Sequence, residues 1–124
     1  MDDYLGWFQR GLKFAQLGFP DRAAESFETA EAIEPEDATL QFNLGTAYLS
    51  LGNFVQAVTS LDKAIKLDPS NSDAYGNRAV ANAALGQETL VTADVEKAIS
   101  LGAPPEGIES VLNYVRERVN PDQD

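Results

Sequence analysis

The chain has 124 residues, 44% of them hydrophobic and 23% charged, which suits a folded domain of ordinary size and not a disordered segment. It contains no cysteine and no histidine. Disulfides, zinc–thiolate sites and cysteine nucleophiles are therefore excluded, and the commonest general base and metal ligand are missing. A net charge of −11 repels phosphate, which makes nucleic acid and anionic membranes poor partners.

Residues 1–37 hold nine acids (Asp2, Asp3, Asp21, Glu25, Glu28, Glu31, Glu34, Glu36, Asp37) against three bases (Arg10, Lys13, Arg22). Residues 38–71 are neutral, with Asp62 and Asp68 balanced by Lys63 and Lys66. The start is acidic, no signal-peptide core is present, and no apolar run approaches the roughly 18 residues of a membrane span. The expectation is a soluble cytoplasmic protein without membrane insertion.

From residue 4 onward one spacing recurs. Gly18, Gly52 and Gly86 are 34 apart, as are Ala30, Ala64 and Ala98. Gly11 and Gly45 keep the same step, with Ala79 next, and so do Pro35 and Pro69. A fixed period of this length marks stacked supersecondary units. The units run over 4–37, 38–71 and 72–105, and each splits into two helical patterns. In the middle unit Leu40, Leu44, Ala47, Tyr48 and Leu51 recur at helical spacing until Gly52-Asn53 breaks the helix. Val58, Leu61, Ile65 and Leu67 carry the second helix, which Asp68-Pro69-Ser70-Asn71 ends. Glycine accepts the left-handed backbone just past a helix end, and proline cannot extend one. Asn71, Ser72 and Asp73 then offer caps to the next helix.

Gly11, Gly45 and Ala79 sit where paired helices cross, with Ala23 and Ala57 expected to face them, because larger residues would force the helices apart. The third unit departs from the pattern. Val91 replaces the small alanine, Asn82 takes an aromatic position, and Thr89-Leu90-Val91-Thr92 is a weak helix former. A local packing change is expected there, not a loss of helix.

After Pro104-Pro105, residues 106–119 place Ile108, Val111, Leu112, Val115 and Val119 in one apolar stripe, as a closing helix needs. Residues 1–119 are expected to form a single domain, and residues 120–124 a flexible tail.

The pattern resembles the tetratricopeptide repeat family, whose units read W-x2-L-G-x2-Y, A-x3-F, A, P. The first unit supplies Trp7, Arg10, Gly11, Phe14, Ala23, Phe27, Ala30 and Pro35. The second supplies Gln41, Leu44, Gly45, Tyr48, Ala57, Leu61, Ala64 and Pro69. The third supplies Tyr75, Arg78, Ala79, Asn82, Val91, Val95 and Ala98. The resemblance implies an all-α fold, a right-handed superhelix of three antiparallel helix pairs plus a capping helix. It implies a protein-interaction module, an adaptor, scaffold or assembly factor, that is not an enzyme and needs no cofactor or metal.

The family lines a concave groove with the first helix of each unit. By resemblance the groove residues are Leu5, Phe8, Gln9 and Leu12; then Phe42, Asn43, Thr46 and Leu49; then Asn77 and Val80. Asn43 and Asn77 share one position, and an asparagine amide both donates and accepts, so a row of them suits a peptide backbone. The alternative is that these asparagines only shape the helix surface. The apolar remainder is an interaction site unless another segment of the chain folds over it. Chaperone-binding members hold the C-terminal carboxylates of Hsp70 and Hsp90 with two lysines, two asparagines and an arginine. The matching residues are Phe8, Leu12, Asn43, Asp73 and Asn77, of which only Asn43 fits. The sequence thus predicts no binding of such a tail, and favours an uncharged or partly apolar segment as ligand. Glu25, Glu28 and Glu31 form an acidic face that is either solvated or a site for a basic partner. Self-association and service as a non-catalytic subunit remain as alternative functions.

Overall fold

A computed structural model describes residues 3–119 and shows seven α-helices among them. They are α1 (Tyr4–Gln16), α2 (Pro20–Ile33), α3 (Ala38–Ser50), α4 (Phe54–Leu67), α5 (Ser72–Ala84), α6 (Glu88–Ser100) and α7 (Pro105–Val119). The predicted all-α repeat architecture is what the chain adopts. The expected tail over 120–124 lies outside the described residues.

Local chemistry sets the helix ends. Asp37 caps α3 by accepting from the Leu40 N–H at 3.1 Å. Asn71 caps α5 by accepting from the N–H groups of Asp73 and Ala74. Helix α2 has no side-chain cap and starts on Pro20, whose missing N–H costs nothing at that position. Gly18, Gly52 and Gly86 all have positive φ, between 75° and 83°. At each, the residue after the glycine donates back five residues: Phe19 to the Phe14 carbonyl, Asn53 to Tyr48, and Gln87 to Asn82. This is one helix-terminating turn used three times, and Gly102 repeats it after α6, where Ala103 donates to Ala98. Glu34 and Asp68 are extended, as residues before proline must be.

The helices form two compact units, one ending at Pro69 and one beginning at Ser70. In the first, α1 packs on α2, α3 on α4, and α2 also packs on α3. The small residues are required there, although their closest neighbours differ from those expected. A Cβ on Gly11 would stand 2.5 Å from the Phe27 ring, and one on Gly45 would stand 2.8 Å from Leu61 Cγ. Phe27 and Leu61 lie one turn beyond Ala23 and Ala57, and all four are fully buried. Aromatic edges extend this core, with Phe8 meeting both Tyr4 and Phe27 edge-on at 5.8 Å.

In the second unit, α5 packs on both α6 and α7. Ala79, Ala83, Val91 and Leu112 form its core, flanked by Val80, Val95, Ile108 and Val115. Helix α6 persists through Thr89–Thr92 because Val91 is buried in that core, and tertiary packing outweighs a weak intrinsic preference. Arg78 of α5 donates to Asp94 of α6 through two bonds, Nε–Oδ2 at 2.8 Å and Nη2–Oδ1 at 2.7 Å.

Candidate functional site

In the first unit, Leu5, Gln9 and Leu12 fall on one face of α1, and Phe42, Thr46 and Leu49 on one face of α3, by the three-to-four-residue helical spacing. Leu5 is 60% exposed and Gln9 is exposed, whereas Leu12, Phe42, Asn43, Thr46 and Leu49 are half-buried. The face is uncharged and mostly apolar. Phe8 sits differently, buried between Tyr4 and Phe27, so it anchors α1 on α2 and offers little surface to a ligand.

Asn43 and Thr46 come together at a depression of about 220 Å3, whose wall also includes Ala15, Pro20 and Ser50. Both are tied back to their own helix. The Asn43 Nδ2 donates to the Thr39 carbonyl at 2.8 Å, and the Thr46 hydroxyl donates to the Phe42 carbonyl at 2.9 Å. The bond orients the Asn43 amide and leaves its oxygen as an acceptor for an incoming N–H.

In the second unit, Asn77 and Val80 line a cleft of about 230 Å3 together with Asp73 and Gly76 of α5 and Ile108 and Val111 of α7. Ile108 and Val111 were visible in the sequence only as part of the closing stripe. Which helix that stripe would face is decided by the fold, and α7 covers part of the α5 face.

The acidic face of α2 is largely engaged within the first unit. Glu28 accepts from the Tyr48 hydroxyl, and Glu31 accepts from Gln41 Nε2 at 2.8 Å and pairs with Lys63 at 3.7 Å. Helices α3 and α4 thus bring donors to Glu28 and Glu31, while Glu25 and Glu28 remain exposed. Burial, and then hydrogen bonding to Glu28, raises the Tyr48 pKa well above its ordinary value. Burial and the bond to Asp37 do the same for Tyr4. Among the described residues no acidic cluster could hold a metal ion, and no helix is long and apolar enough to cross a membrane.

The family model for the tetratricopeptide repeat matches residues 8–72 and 43–90, so together it spans 8–90. No curated protein matches the chain in sequence. Among solved structures, the second tetratricopeptide domain of Spaghetti (RPAP3), bound to the HSP90 peptide SRMEEVD, is 29% identical with a TM-score of 0.76. The similarity covers 80% of this chain and 92% of that one. The second such domain of human RPAP3, in complex with the HSP70 peptide SGPTIEEVD, is 26% identical with a TM-score of 0.80, covering 91% and 94%. The domain of Arabidopsis OM64 is 23% identical with a TM-score of 0.80, covering 93% and 95%, a likeness of fold alone.

These neighbours correct the prediction that a chaperone tail has no fit here, and with it the preference for uncharged ligands. That prediction counted cations at five positions. The peptides bound by these two RPAP3 domains also carry Met, Pro, Ile and Val side chains and a backbone, which apolar and amide groups recognise without charge. With the repeat model matched over most of its length and the helix pairs in place, the chain belongs to the tetratricopeptide repeat family, whose domains are protein–protein interaction modules.

Proposed function

We propose that this chain is a non-catalytic adaptor or scaffold that holds an extended peptide of a partner protein on the shared face of α1 and α3. Leu5, Gln9, Leu12, Phe42 and Leu49 supply the contact area, and Asn43 with Thr46 supplies the polar register. An acidic chaperone-type C-terminal tail with apolar side chains is a fitting ligand, in keeping with what the two neighbours above hold. The observation that carries the proposal is the exposed apolar surface of α1 beside a half-buried, oriented amide on α3. Phe8 supports the face from beneath and is not itself a contact residue.

The test is an amide-resolved NMR titration of the chain with the peptide SRMEEVD and with a scrambled peptide of the same composition. Saturable shifts centred on Leu12, Phe42, Asn43 and Thr46, specific to the ordered peptide and weakened about tenfold or more by Asn43→Ala, are expected. Loss of one well-placed hydrogen bond to a desolvated group accounts for that factor. Unperturbed α1 and α3 amides at millimolar peptide, or equal shifts with both peptides, would overturn the assignment.

A further inference from the structure

The 34-residue repeat places Trp7, Arg10 and Phe14 of α1 where α3 has Gln41, Leu44 and Tyr48. The two sets have different surroundings. On α3 all three residues are buried, and helix α2 covers them. Two polar bonds register that contact, Gln41 Nε2 to Glu31 and the Tyr48 hydroxyl to Glu28. On α1, Trp7 and Phe14 are half-buried and Arg10 is exposed. They border an open cleft of about 430 Å3, whose other wall is Arg22, Ser26 and Thr29 of α2.

The cleft carries the marks of an unfilled contact. The Trp7 indole N–H is buried and meets no acceptor among the described residues. It occupies the position of Gln41, whose amide donates to a carboxylate. Arg10 lies over the Trp7 ring at 4.4 Å, and Arg22 lies over Phe14 at 5.8 Å and Phe19 at 5.5 Å. No described carboxylate pairs with either guanidinium. Glu25 also borders the cleft, so its charged groups sum to one positive charge, in a chain whose net charge is −11. A flat cation stacked on an aromatic ring keeps its N–H edge free for a carboxylate.

We propose that this cleft is a second docking site, distinct from the α1 and α3 face, and that it takes an amphipathic helix of a partner protein bearing a carboxylate. The helix sits on α1 as α2 sits on α3. Its carboxylate stands where Glu31 stands, accepts from the Trp7 N–H, and meets the guanidinium edges of Arg10 and Arg22. Its apolar residues cover Trp7 and Phe14.

The chain supplies a probe for this geometry: a helix-stabilised synthetic peptide with the sequence of residues 20–33, which is α2 itself. Trp7 is the one tryptophan of the sequence, so its emission reports on the cleft without a label. Titration should give a saturable blue shift as the indole loses water. The apparent affinity should fall about tenfold or more with the Arg10→Gln variant and with a peptide carrying Glu31→Gln, and should weaken with added salt. The Arg10→Gln variant should hold SRMEEVD as the parent does, which separates this site from the α1 and α3 face. No saturable change at millimolar peptide, or the same affinity for the Glu31→Gln peptide, would sink the proposal. A molecular mass that rises with concentration in the parent but not in Arg10→Gln would show the cleft filled by a second copy, and the assignment to a partner protein would then be wrong.

Discussion

The first and third helix pairs place an arginine at the same repeat position, Arg10 and Arg78, and give it opposite surroundings. The residues facing that position across the pair are Ser26, Ser60 and Asp94 in turn. In the third pair Asp94 holds Arg78 in a two-bond ion pair, with side chains only 8% and 23% exposed. In the first pair a serine cannot neutralise Arg10, which stays at the surface over Trp7. The middle pair does without charge and buries Leu44. The repeat fixes where a side chain points, and the residue opposite decides whether it becomes core, ion pair or binding surface.

The sharpest way to break this comparison is to remove Asp94. Asp94→Ala removes both of these bonds to Arg78, and should cost about 1.5–3 kcal/mol, read as a fall in the denaturant midpoint. Copying the middle pair with Arg78→Leu and Asp94→Ser should recover most of that loss. A loss for Asp94→Ala within the roughly 0.5 kcal/mol of an ordinary surface change would mean the ion pair contributes nothing.

A second contrast concerns volume at the helix crossings. The pairs read Gly11 over Phe27, Gly45 over Leu61, and Ala79 beside Val95, so a methyl group is present only where the opposing residue is small. Gly11→Ala gains about 1 kcal/mol of helix preference, yet drives a Cβ into an aromatic ring. A net loss of about 1–2 kcal/mol by chemical denaturation is expected. A stabilised Gly11→Ala variant would show that the first pair has slack the structure does not reveal.

The smallest effect is expected at the tyrosines of the first unit. Tyr48→Phe removes one bond to Glu28 and should cost about 1 kcal/mol. The pKa of Tyr48, like that of Tyr4, is raised above its ordinary value of 10.0 in the folded chain. In the unfolded chain both hydroxyls ionise near pH 10, while the folded chain keeps its protons. Their contribution is therefore complete below about pH 10 and is lost as pH rises above it. The parent should lose stability between pH 10 and 12 faster than the Tyr4→Phe/Tyr48→Phe variant, and parallel curves would contradict this.

The sequence by itself determined the period, the helix ends and the family. Those depend on local rules: a positive φ that only glycine adopts without strain, caps within three residues, and apolar spacing along one helix. It also identified the uncharged residues of the α1 and α3 face, apart from the placement of Phe8. Helical spacing says which residues share a face, but not which neighbour covers it. Only the tertiary structure buried Phe8 against Phe27, joined Glu28 to Tyr48 across 20 residues, and paired Arg78 with Asp94. It alone left Trp7 with a buried N–H and no described acceptor. Burial and pairing depend on which groups meet from distant parts of the chain, and a one-dimensional pattern does not carry that information.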